Sequence, residues 1–308
     1  MGAFTTVPLS RWFAAELQGV DIAQDVTPEV RDAVEAAMSE YAVVVIRGQS
    51  HAGDADQIRF SRAFGSLELP PDLGMTDKVG PSRVVRELYD VSNLDENGEL
   101  DQPDTLRRRF AKGNEYFHTD SSFNALPTKW SLLFAHEVPP EGGNTEFADT
   151  RLAYERLDDS IRQAIEGLEV QHDLTQSRAK GGLTGTDIFA KVFPPVIQPL
   201  VRTSASGRKA LYIGSHAARV VGMDEGEGRA LLDKLVERAS KPQLIYSHKW
   251  QVGDLVIWDN RCTMHRATPF NYMADRRDMR RSTINEYGED RMGGQMQTAA
   301  QSEGEESR

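Results

Sequence analysis

The chain has 308 residues, 39% of them hydrophobic, enough to bury a large core in one domain or two small ones. Its formal net charge of −11 opposes binding to nucleic acid or an anionic membrane surface, and no apolar run reaches the roughly 20 residues a membrane helix needs. The single cysteine, Cys262, excludes an internal disulfide and a zinc site built on paired thiolates; with no signal-peptide pattern in Met1 to Gly19, the expected location is the cytoplasm.

Leu17 to Ile22 reads as a short strand and turn. Thr27-Pro28-Glu29 opens a helix with a capping hydroxyl, Pro at the first helical position and an acid that suits the dipole. Val30, Val34, Ala37, Met38 and Tyr41 follow at helical spacing. Val43-Val44-Val45-Ile46 is a β-branched run, a strand buried on both faces. Asp54 to Phe64 is a second helix, which completes an N-terminal α/β layer. Glu68 to Gly80 is rich in Pro, Gly and Asp, Val84 to Asn93 reads as a strand, and Leu94 to Lys112 is polar. Such a long irregular stretch is either a mobile cover over a site or plain surface.

Lys129 to Val138 is a strand, Pro139 to Gly143 a turn, and Asn144 to Phe147 a strand again. Acidic caps start short helices after Asp149 and Asp158. Gln171 to Pro195 shows little periodicity and reads as an insertion able to fold over a pocket. A hairpin turns at Ser206-Gly207-Arg208, and Asp224 caps a helix with Leu231, Leu232, Leu235 and Val236 on one face. Gln243 to Trp250, Asp254 to Trp258 and Arg281 to Glu286 are further strands, and the residues from 287 to 308 have the composition of a disordered tail. Many short strands with helices ahead and inserted predict a mainly β fold with helical support, an antiparallel double-sheet barrel.

His118-Thr119-Asp120 places an imidazole and a carboxylate two residues apart, on the same side of an extended segment. Alone, this pair is as readily a hydrogen-bonded His–Asp contact as a metal site. A second block, Gly253 to Arg266, ends a buried strand in a loop that presents His265. Two His and one carboxylate occupy one face of an octahedral ion and leave three positions open, as in non-haem Fe(II) oxygenases. Zinc hydrolases use the same ligand types, so the residues leave the metal open. Arg277 and Arg281 follow His265, and Thr145 follows Asp120. A distal cation with a hydroxyl donor suits a dicarboxylate co-substrate, and a second Arg suits an acidic substrate.

This set, in this order, resembles the Fe(II)/2-oxoglutarate-dependent dioxygenases of the taurine dioxygenase type. Pro139 to Phe147, Gly207-Arg208-Lys209, Ile213 to Ala217 and Trp258 to Cys262 resemble the 2,4-dichlorophenoxyacetate dioxygenase branch of that family. The resemblance implies a double-stranded β-helix (jelly-roll) core in a single domain over residues 1–286, with lid segments near 68–112 and 171–195. It implies Fe(II) at His118, Asp120 and His265, 2-oxoglutarate at Thr145 and Arg277, and O₂ as oxidant. The substrate would be a small organic anion, most simply an aryloxyacetate cleaved to a phenol and glyoxylate with release of succinate and CO₂. Its carboxylate is expected at Arg281, with Asn114, Asn93 and His216 lining the pocket. A sulfonate hydroxylase and a metal-binding barrel without catalysis are the alternatives, and the chain is compatible with a homo-oligomer.

Overall fold

A computed structural model of the protein describes residues 4–70, 83–183 and 187–292. Its largest sheet has nine strands and is built around Thr128–Glu137. That strand pairs antiparallel with Leu255–Asp259 on one side and Asp278–Asn285 on the other. Val43–Ile46 pairs antiparallel with Leu255–Asp259 and parallel with Ala15–Gln18. A smaller sheet has Thr145–Asp149 between Ile245–His248 and Thr263–Ala267.

Strand alternation explains how the layers form. Side chains of a strand point to opposite faces in turn. Val44, Ile46, Leu132, Phe134, Leu255 and Ile257 share one cluster with Val34, Ala37, Met38 and Phe60, so the helices Pro28–Tyr41 and Asp54–Arg62 cover that face. Val43, Val45, Leu133, Ala135, Val256 and Trp258 share another with Phe147, Tyr246 and Trp250 of the smaller sheet. The second cluster fills the space between the two sheets. Behind the smaller sheet, Ala148 and Met264 pack against Leu232 and Leu235 of the helix Glu225–Ala239. The first helix starts as its sequence predicts: Thr27 Oγ1 accepts from Val30 N at 3.4 Å, and Pro28 stands in the first turn.

Several expectations change. Of Val84 to Asn93, only Tyr89–Asp90 is a strand, paired with Asp278–Asn285; beyond it Val91 N donates to Met279 O at 2.9 Å and Asn93 N to Arg277 O at 3.2 Å. The aperiodic stretch after Gln171 holds two short helices, Leu174–Lys180 and Asp187–Val192. The start of the expected tail is ordered: Arg291–Met292 pairs in parallel with Leu67–Leu69, and Asp290 bonds Arg62 at 2.6 Å. Residues 293–308, and the parts of the expected lids at 71–82 and 184–186, lie outside the described residues. Among the described residues no helix is long and apolar enough to cross a membrane.

Candidate metal centre

His118 and His265 are brought together by the backbone. The segment carrying His118 pairs antiparallel with Thr263–Ala267 at a single bridge: His118 N donates to His265 O at 3.0 Å, and His265 N donates to His118 O at 2.8 Å. His265 therefore sits within a strand rather than in the loop expected for it; the turn at Asn260–Cys262 lies before it. The two rings are 4.3 Å apart. His265 also lies against Trp258 at 4.7 Å and Phe147 at 6.0 Å, so its imidazole faces the space between the sheets.

Asp120 completes the group. Its Oδ1 is 3.9 Å from His118 Nε2, and its Oδ2 is 3.8 Å from His265 Nε2. These are not hydrogen bonds. One donor atom from each of the three residues lies within 4.8 Å of the others, and all three side chains are buried. Ser131 Oγ donates to Asp120 Oδ2 at 2.8 Å, and the Arg281 guanidinium donates to Oδ1. Ser131 and Arg281 both rise from the large sheet on the face that carries Leu133, since Arg281 stands opposite Leu133 and Ser131 is two residues away. His118 Nδ1 is 2.8 Å from Tyr116 O, which fixes its proton there and leaves Nε2 as the free lone pair. His265 Nδ1 is buried without a hydrogen-bond partner among the described residues.

The electrostatics leave the group ready to accept a cation. Burial disfavours the charged imidazoles: it pushes His265 down to about 3 and lowers His118 as well. Burial alone would raise the Asp120 carboxyl, but the Arg281 charge, with the Ser131 hydrogen bond, overrides it and holds it well below the usual carboxylate range. Two neutral imidazoles and an ionised carboxylate are the protonation states that ligate a metal. With both Nε2 atoms facing the carboxylate and bonded to no other group among the described residues, this donor set fits a divalent ion such as Fe(II).

Thr145 and Arg277 occupy the neighbouring space. His265 stands opposite Phe147 in the ladder and Ala267 opposite Thr145, so Thr145 lies on the face that carries Phe147, one step along from His265. Thr145 Oγ1 accepts from the Trp250 indole at 3.0 Å, leaving its own proton to donate. Arg277 is buried, with its Nε 3.4 Å from Gly143 O, two residues before Thr145. Its other side-chain hydrogen bond is Nη1 to Val91 O at 3.4 Å, and among the described residues no carboxylate pairs with it. Burial pulls this guanidinium down to about 10. A buried cation with long contacts to neutral carbonyls is poorly compensated.

The four expected substrate residues fall in four different settings. Arg281 is committed to Asp120, with its guanidinium 4.5 Å over the Tyr89 ring. Asn93 spends its amide on the backbone: Nδ2 donates to Tyr272 O and Asp275 O, and Oδ1 accepts from Arg277 N at 2.9 Å. It therefore braces the segment that carries Arg277. His216 is buried with its ring 5.6 Å from that of His118, and its Nδ1 is 3.2 Å from Ser122 Oγ and from Thr119 O. Asn114 Oδ1 accepts from Arg178 Nη1 at 3.0 Å.

Glu68 and Arg178 escaped the sequence reading. Glu68 is fully buried and accepts from Tyr89 Oη at 2.8 Å, Ser121 Oγ at 2.6 Å and Asn124 Nδ2 at 2.6 Å. It braces Ser121 and Asn124 just beyond Asp120 and shares the Arg281 charge. An acid between Leu67 and Leu69 was the available signal. Arg178 lies in the aperiodic stretch and gave none.

The family model described as "Taurine catabolism dioxygenase TauD, TfdA family" matches residues 5–283. The chain is 42% identical over 282 residues to the alpha-ketoglutarate-dependent 2,4-dichlorophenoxyacetate dioxygenase of Cupriavidus pinatubonensis, covering 90% of this chain and 96% of the relative. It is 34% identical over 300 residues to the (S)-phenoxypropionate/alpha-ketoglutarate-dioxygenase of Sphingobium herbicidovorans, covering 92% and 95%. The crystal structure of AAD-2 in complex with Mn(II) and N-oxalylglycine aligns with a TM-score of 0.84 at 40% identity, over 94% of this chain and 98% of that one. A taurine dioxygenase from Burkholderia xenovorans aligns with a TM-score of 0.72 at 28% identity, over 92% and 90%.

Proposed function

From the premise that this chain belongs to the TauD, TfdA family of dioxygenases, we propose that it is a 2-oxoglutarate-dependent Fe(II) dioxygenase acting on an aryloxyalkanoate. The observation that carries this is the pairing of a ligand-ready His118–Asp120–His265 group with Arg277, a buried cation that meets no carboxylate among the described residues and whose Nε lies 3.4 Å from Gly143 O, two residues before Thr145. In this reading the two facing sheets are the walls of a double-stranded β-helix.

Bound at His118, Asp120 and His265, ferrous iron supplies the redox chemistry that couples conversion of 2-oxoglutarate and O₂ into succinate and CO₂ to hydroxylation of a substrate C–H bond. The chain's own part is orientation and charge. The Tyr116 carbonyl holds the His118 tautomer, and Ser131 and Arg281 fix both oxygens of Asp120. Trp258 and Phe147 keep bulk water from His265. Arg277 takes the far carboxylate of 2-oxoglutarate, and the Thr145 hydroxyl donates to the same group while the Trp250 indole holds its oxygen in place. Asn93 keeps Arg277 in register. A hydroxyl placed on a carbon that bears an ether oxygen is a hemiacetal. It collapses without further catalysis to a phenol and, from an oxyacetate, glyoxylate.

The relatives at 42% and 34% identity, named for 2,4-dichlorophenoxyacetate and phenoxypropionate, support an aryloxy acid over the sulfonate of the 28% neighbour. The test is succinate formation with Fe(II), ascorbate and 2-oxoglutarate across phenoxyacetates, phenoxypropionates, cinnamates and alkylsulfonates. Turnover confined to the phenoxy acids is expected. Turnover confined to sulfonates, or none at all, refutes the reading.

A further inference from the structure

The co-substrate end of the proposed site depends on a hydroxyl that has to be aimed. Thr145 Oγ1 accepts from the Trp250 indole at 3.0 Å, so its own proton turns away from Trp250. The donor that fixes it stands outside regular structure. The strand Ile245–His248 ends two residues before Trp250, so its pairing with Thr145–Asp149 does not place the indole.

The indole also has room to leave. A cavity of about 320 Å³, lined by Pro139, Pro140, Gly142, Lys249 and Gln251, adjoins Trp250. A ring that leaned into it would take the donor away from Thr145. The apolar neighbours of Trp250 between the sheets give it burial but no direction. Its directional contact is with His248, whose ring meets the indole edge-on with centroids 4.5 Å apart and planes at 88°. His248 stands opposite Thr145 in the ladder, so both side chains face the space between the sheets.

The imidazole of His248 is itself held at both nitrogens. Its Nε2 is 3.1 Å from Asp254 Oδ2, and its Nδ1 is 2.9 Å from Tyr246 Oη. A carboxylate accepts, so the proton is on Nε2, and Nδ1 accepts from the tyrosine hydroxyl. Burial lowers the imidazole below its usual range, which keeps the ring in this neutral form at neutral pH. Asp254 is in turn fixed by Arg47 Nη1 at 2.7 Å, and its Oδ2 also accepts from Gln251 N at 2.9 Å. Gln251 follows Trp250 in the chain. One buried carboxylate therefore holds both the imidazole that restrains the indole and the backbone that carries it.

We propose that His248, held by Asp254 and Tyr246, is a positioning residue for the co-substrate: it keeps the Trp250 indole on Thr145 and so aims the Thr145 hydroxyl at the far carboxylate of 2-oxoglutarate. This rests on the reading of Thr145 and Arg277 as the co-substrate site.

The test uses the full chain loaded with Mn(II) and measures binding of the non-reacting analogue N-oxalylglycine by calorimetry. Trp250→Phe keeps a ring but loses the donor, and is expected to weaken N-oxalylglycine about three- to tenfold, the scale of one hydrogen bond, with Mn(II) affinity within about twofold of wild type. His248→Gln keeps a partner for Asp254 but loses the ring, and is expected to weaken it by a similar factor. The double variant should bind no worse than Trp250→Phe alone, because both changes break one chain of contacts. A generally loosened fold would instead add the two losses and weaken Mn(II) as well. Additive losses, a matching loss of Mn(II) affinity, or unchanged N-oxalylglycine affinity in His248→Gln overturns the proposal. Tyr246→Phe, which frees one end of the imidazole, takes its place in the cycle if His248→Gln does not fold. Wild-type protein that binds no N-oxalylglycine, or binds it no better than Thr145→Val does, overturns the co-substrate reading underneath, which a failure at His248 alone leaves standing.

Discussion

Arg277 is the buried side chain on which the proposed co-substrate site rests. Its guanidinium is surrounded by neutral carbonyls at 3.4 Å, where an anion would shorten and strengthen every contact. Removing one partner of a buried charge pair costs about 2–5 kcal/mol, or roughly 30-fold and upward in affinity. Arg277→Ala is therefore expected to raise the KM for 2-oxoglutarate by at least that factor and to leave Fe(II) affinity within a few-fold. An unchanged KM would move the co-substrate role elsewhere. The sequence singles out His118, Asp120 and His265 by residue type and order, and the structure brings those three together; Thr145 and Arg277 were singled out through the family resemblance. Arg178 and Glu68 were not, because a lone Arg in an aperiodic stretch and a lone Glu in a short strand look like surface residues until burial is known.

Among the elements, the strands with unbroken apolar character were the readable ones. Val43–Ile46 and Leu255–Asp259 are buried at every residue, since helices cover one side of their sheet and the smaller sheet covers the other. The helices Leu174–Lys180 and Asp187–Val192 were hidden because six or seven residues give too few turns for a period to show. The cap at Asp173, which accepts from Thr175 N at 2.8 Å, was the local signal for the first of them. The segment through Gly214 is the element that most directly sets His118. Gly214 has φ +135, and a Cβ there would lie 2.9 Å from His118 Cα. Gly214→Ala adds both strain and a backbone clash, an overpacking cost of about 1–3 kcal/mol. Chemical denaturation should show that loss together with weaker Fe(II) binding. A variant with wild-type stability and metal affinity would mean that this approach does not position the ligand.

For the molecule as a whole, the buried histidines couple stability to pH. Burial pushes the His172 ring down to about 3 from the usual 6.5, although Ser122 Oγ lies 3.0 Å from its Nδ1. Between those two pH values the unfolded chain holds a proton that the folded chain refuses. The stabilisation is fully present above about pH 6.5, falls as pH drops below it and levels off near 3. His172→Gln removes the titrating ring. Its loss of stability between pH 7.5 and pH 5 should be smaller than that of the wild type by urea denaturation, and an equal loss would exclude His172 as a source of the dependence.

The account stands on one shared ferrous ion, and anaerobic Fe(II) titration tests it most directly. Wild-type protein is predicted to bind one ion per chain, with Asp120→Ala and His265→Ala each weakening that site at least a hundredfold while circular dichroism stays unchanged. Wild-type affinity retained in either folded variant would contradict it.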